Sequence, residues 1–98
     1  MDNLHIYQNE AYLIADMIKS RFNSKYDNLE LITTLSIDNM LLKGIHLTLI
    51  DDYLDKTCVK YVSIKGIYNI SDYIDYIFIE IQSMLADIVH EHYYKDAT

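Results

Sequence analysis

The chain has 98 residues and a mass of 11.6 kDa, with 51% hydrophobic and 23% charged residues, so residues 1–98 fit one small domain and are too apolar to stay disordered. Fifteen Asp and Glu against eight Lys and Arg give a net charge of −7, which excludes the clustered basic surface that grips nucleic acid phosphates. Cys58 is the single cysteine, so no intrachain disulfide can form and a reducing, cytoplasmic setting is expected.

The periodicity predicts an amphipathic helix from Asn3 to Ser24. Tyr7, Ala11, Ile14, Ile18 and Phe22 recur at three- and four-residue spacing, with Leu4 and Met17 widening the stripe. Asn3 is the expected cap, and Asn23-Ser24 followed by Asp27-Asn28 ends the helix in a polar turn. Leu29, Leu31, Thr33, Leu35 and Ile37 then alternate with Glu30, Ile32, Thr34 and Ser36, a half-buried strand that turns at Asp38-Asn39. A second strand is expected from Leu42 to about Leu54, with Ile45, Leu47 and Leu49 on one side and His46 and Thr48 on the other. A third runs from Cys58 to Lys65 with Val59, Val62 and Ile64, and Cys58 is expected as a small buried side chain. Short polar links favour an antiparallel meander.

Ser71 is the expected N-cap of a last helix, with Asp72 and Asp75 in its first turn and Ile74, Ile77, Ile81, Leu85 and Ile88 as its core stripe. Tyr76–Ile81 also has strand propensity, but the longer 3.6-residue period outweighs it. The predicted class is α+β in the order α-β-β-β-α, a three-stranded antiparallel sheet with two terminal helices. Lys43-Gly44-Ile45-His46 faintly echoes Lys65-Gly66-Ile67-Tyr68, and turn or bulge requirements explain both glycines.

Residues that might carry chemistry are few. Asp51-Asp52-Tyr53-Leu54-Asp55 resembles the DDxxD stretch that chelates magnesium–diphosphate in isoprenoid synthases, enzymes that need a large all-helical cavity this chain cannot build. A solvated turn explains it better. His90 and His92, two apart on a helix, point in different directions and cannot share one metal ion. His5 and His46 lack a neighbouring carboxylate or nucleophile in sequence, and a Cys58–His dyad has no support beyond composition. No Gly-rich phosphate loop or zinc-finger spacing is present, and Met1–Glu10 is too polar for a signal peptide. No catalytic residue, metal or cofactor is expected, and no run approaches the roughly 18 apolar residues of a membrane span.

Surface character is the remaining signal. On the last helix, Asp75, Ile79, Gln82, Ala86, Val89 and Tyr93 lie opposite the core stripe, more apolar than a solvated face requires. Ile79, Gln82, Ala86, Val89 and Tyr93 are therefore the candidate homodimer interface. Asp51, Asp52 and Asp55 in one loop, with Asp72, Tyr73, Asp75 and Tyr76 at one helix start, are the candidate partner-binding residues, in one surface or two. In size, acidity and the AT-rich codon bias implied by 38 Ile, Asn, Lys and Tyr residues, the chain resembles small anti-CRISPR and other host-takeover proteins of phages and mobile elements. That likeness of type implies an inhibitor that blocks a basic nucleic-acid-handling host protein without binding nucleic acid itself. A homodimeric structural or regulatory module is the alternative.

Overall fold

A computed structural model describes residues 4–26 and 28–95, with side chains described through Val89. The elements are α1 (Gln8–Asn23), β1 (Glu30–Asp38), β2 (Leu41–Asp51), β3 (Lys56–Ser63) and α2 (Ile70–Lys95). The strands form one antiparallel sheet in the order β1-β2-β3, so the α+β class and the element order are as the sequence predicts. Alternation puts Leu31, Ile45, Leu47, Leu49 and Val62 on a single sheet face, and all are buried. There α1 packs on β1 and α2 on β3, and the side chains of both helices and the sheet merge into one core. Each fully buried Leu or Ile contributes about 1.5–3 kcal/mol, so this shared face outweighs any single turn or cap.

The first helix begins at Gln8 instead of Asn3, a position outside the described residues. The chain before it is extended because β3 ends opposite Gly44 and leaves the flank of β2 open beyond that point. Residues 4–7 fill the space: the Leu42 N–H donates to the Ile6 carbonyl at 2.8 Å, and the Gln8 N–H donates to Met40 at 2.9 Å. Ile6 is buried there, while Tyr7 becomes the N-cap and is exposed. Ala11, Ile14, Ala15, Ile18 and Phe22 form the buried stripe, and Met17, expected to widen it, is exposed. Met17 lies on the wrong side because the stripe follows the narrow line of contact with β1.

Asn39 and Met40 have φ of 52° and 66°, the pair of positive values that a tight two-residue hairpin turn requires. Methionine bears a steric penalty in that region which glycine escapes. Met40→Gly should therefore stabilise the fold by roughly 1 kcal/mol, since Met40 is 68% exposed and little burial is lost. A raised urea midpoint with an unchanged slope would show this; a lowered midpoint would mean that Met40 packing outweighs the backbone term.

β2 stops at Asp51 and does not reach Leu54, because the Asp51 carboxylate accepts the Leu54 N–H at 3.1 Å and curls the loop. Asp55, at φ 54°, closes the turn into β3. The cap of α2 is Asn69, not Ser71. Its Oδ1 accepts the Asp72 N–H at 2.8 Å and its Nδ2 donates to Asp72 Oδ2 at 2.9 Å, a reciprocal cap that Ser71 stands too late to make. The buried stripe of α2 is Tyr73, Ile77, Ile81, Met84 and Ile88, with Ile74 and Leu85 only half-buried.

Candidate interaction surfaces

The seven candidate partner-binding residues fall into two groups, and two of the seven are buried. Asp51 is only 8% exposed and serves the loop internally. Tyr73 is fully buried, with its hydroxyl donating to the Val62 carbonyl at 2.7 Å, so it cannot contact a partner. Its place in the core follows from that bond: of the adjacent Tyr73 and Ile74, only the tyrosine brings a hydroxyl to the strand carbonyl. Burial pushes its phenol well above the usual tyrosine range, Tyr61 adds to the effect, and a backbone contact with Ile45 partly opposes it.

Asp52 and Asp55 remain exposed on the β2–β3 loop, and Asp72, Asp75 and Tyr76 remain exposed at the start of α2. The helix start lies beside Val62 and the loop precedes Lys56, so the two groups sit at opposite ends of β3. Six strand residues separate them by roughly 20 Å. Within the loop, Tyr53 is 88% exposed and stands between the two free acids.

The outward face of α2 is open from Asp75 to Val89. Ile79 is 62% and Val89 48% exposed, with Gln82 and Ala86 exposed between them. Asp75, Ile79, Gln82, Ala86 and Val89 follow a four-three heptad spacing, the geometry of a helix-pairing seam. Tyr93, its last member, and the His90 and His92 side chains lie outside the described side chains. On the inward side, the Lys60 ammonium meets Glu80 Oε2 at 2.7 Å and ties β3 to α2. Hydrogen bonding to Glu80, then its charge, raises the Lys60 pKa, so on the alkaline side the ammonium keeps this tie through neutral pH and loses it as pH rises past the usual lysine value of 10.5.

The sheet face away from the helices is uncovered, a feature the sequence reading passed over. Ile32, Thr48 and Val59 form one cross-strand row, and Thr34, His46 and Tyr61 form the next. Ile32, Val59 and Tyr61 are all exposed. The signal was present in the period-two alternation, which assigns these apolar residues to the polar phase. Tyr61 lies against His46 with ring centroids 4.5 Å apart and also covers Gly44, where any Cβ would meet its ring. That glycine leaves room for the aromatic on the open face.

A cleft of about 340 Å³ beside the N-terminal segment is lined by His5, Lys43, Tyr61, Ser63 and Lys65, with no acidic residue. The lysines are exposed, so an anion there would stay hydrated. His46 points outward from β2 while Cys58 lies on the inner side of β3, so the sheet separates the sulfur from that imidazole. Among the described residues, no three His, Cys, Asp or Glu side chains converge on a point where a metal ion could sit. Among them, too, no helix is long and apolar enough to cross a membrane.

These features define a two-layer α+β protein with helices on one sheet face and exposed apolar residues on the other. No family model, curated protein or solved structure matches the chain.

Proposed function

We propose that the protein is a non-catalytic, protein-binding inhibitor of the phage or mobile-element type, acting on a basic nucleic-acid-handling protein. The observation that carries this reading is the β2–β3 tip, where Tyr53 projects between exposed Asp52 and Asp55 on a loop braced by Asp51. An aromatic ring flanked by carboxylates fits a basic cleft, with the ring as anchor and the acids steering approach. The net charge of −7 favours such a partner over nucleic acid. Affinity capture from a bacterial lysate tests it. Tyr53→Ala combined with Asp52→Asn and Asp55→Asn should weaken retention of the captured basic protein by about thirtyfold or more, as loss of a 2 kcal/mol hot spot requires. Asp72→Asn with Asp75→Asn should leave retention unchanged. Equal retention by the tip variant would remove the reading.

A homodimeric interaction module is the second reading. It is favoured by apolar surface left uncovered on both the outward α2 stripe and the open sheet. Static light scattering tests it, and a monomer at every concentration would remove it.

A further inference from the structure

We propose that the free edge of β1 pairs antiparallel with the same edge of a second copy, joining two sheets into one of six strands. The inference rests on the homodimer reading and places its two-fold axis on β1, away from α2. The two edges of the sheet are treated differently. β3 carries Lys56 and Lys60 and is prolonged by the N-terminal segment along β2, while each edge strand has one helix on its inner face. Lysines and bulges are usual protections of an edge strand, and the one register shift of β1 lies at Ser36/Ile37, towards its end and away from Thr33. β1 reads Glu-Leu-Ile-Thr-Thr-Leu-Ser-Ile-Asp, with no Lys, Arg or Pro. Among the described residues, no backbone hydrogen bond outside the helices and the two ladders involves either edge strand, so the absence of lysine is what sets β1 apart. A groove of about 370 Å³ lies open along this edge between Tyr12, Asp16 and Lys19 of α1 and Thr33, Thr34 and Leu35.

The occupant follows from the side chains. In a two-fold pairing centred on Thr33, Thr33 meets itself, Leu31 meets Leu35, Ile32 meets Thr34 and Glu30 meets Ser36, each from the opposite copy. Apolar residues face apolar or threonine neighbours, and no like charges are opposed. Centring on Thr34 would set Glu30 against Asp38 twice, a repulsion that selects against that register. Asp16 and Lys19 flank the same edge on each copy, so the axis brings an acid and a base of one α1 towards those of the other. The α2 seam is the weaker self-interface, because Gln82 and Ala86 interrupt the contact between Ile79 and Val89.

Light scattering of the intact chain should give twice 11.6 kDa for the wild type. Thr33→Lys, which opposes two ammonium groups across the axis, should return the mass of one chain, whereas Ile79→Asp should remain dimeric. In a Cys58→Ser background, Thr33→Cys should give a covalent dimer on mild oxidation and Asp38→Cys should not, read on a non-reducing gel. The cysteine variant adds no bulk, so it decides the matter if Thr33→Lys fails to fold. A wild-type monomer would overturn both the homodimer reading and this interface. A dimer that Ile79→Asp splits, or that Thr33→Cys does not cross-link, would overturn the β1 placement alone.

Discussion

Replacing Tyr73 by phenylalanine is expected to lower stability by about 1–3 kcal/mol at neutral pH and to flatten the loss of stability in alkali. The residue is fully buried, and its hydroxyl makes a 2.7 Å bond to the Val62 carbonyl, joining the start of α2 to the end of β3. Phenylalanine fills the same space without the donor, so the loss measures the bond and the burial of the carbonyl left behind. Burial raises the folded phenol above the ordinary tyrosine value of 10, with Tyr61 contributing further. A raised pKa means that the folded chain keeps a proton which the unfolded chain releases. Its contribution is therefore complete below about pH 10 and falls above it by roughly 1.4 kcal/mol per unit. Urea unfolding at neutral pH and at about pH 11 should show the wild type losing more than Tyr73→Phe between the two. Parallel losses would mean that the Tyr73 hydroxyl reaches water in the folded state.

Tyr73 also shows where sequence reasoning stopped. The last helix is apolar around most of its circumference, so two stripes, one through Ile74 and Leu85 and one through Tyr73 and Met84, share Ile77, Ile81 and Ile88. Periodicity alone cannot choose between phases when both are apolar. The choice is made by β3, whose Val62 carbonyl accepts the tyrosine hydroxyl. In the sheet, by contrast, period-two alternation set Leu31 on one side of its strand and Ile45, Leu47 and Leu49 on one side of theirs, and these sides share the face that the helices cover. Whether the acidic residues share one surface is a question of topology that the sequence left open. Asp52 precedes β3 and Asp72 follows it, so the length of that strand holds the two groups apart. The extended N-terminal segment was hidden for the same reason: Ile6 and Tyr7 suit a helix locally, and only the gap left beyond the end of β3 pulls them straight.

Phe22→Ala is expected to be the more damaging of the two substitutions, at about 3–5 kcal/mol, against a total of only 5–15 kcal/mol for a typical domain. α1 has no side-chain cap at its start, and two of the five residues in its buried stripe are alanines. Its attachment to β1 therefore falls on Ile14, Ile18 and Phe22. Phe22 is 1% exposed, packs on Tyr26 with ring centroids 5.0 Å apart and shares a small cleft with Phe78 and Ile81, so truncation loosens the end of α1 where it nears α2. Arg21 offers a second link there, its guanidinium 4.2 Å from the centre of the Phe78 ring, a contact worth about 0.5–1 kcal/mol where solvent reaches it. Leu13→Ala, at a residue 69% exposed on the same helix, should stay within about 0.5 kcal/mol. Urea unfolding of the three variants separates burial from helix-to-helix contact. A loss at Phe22 several times that at Arg21→Ala means that α1 is held by its apolar stripe, and amide exchange should then quicken along Gln8–Asn23 before the sheet. Comparable losses at the two positions would instead make the Arg21–Phe78 contact the main clamp between the helices, with the stripe secondary.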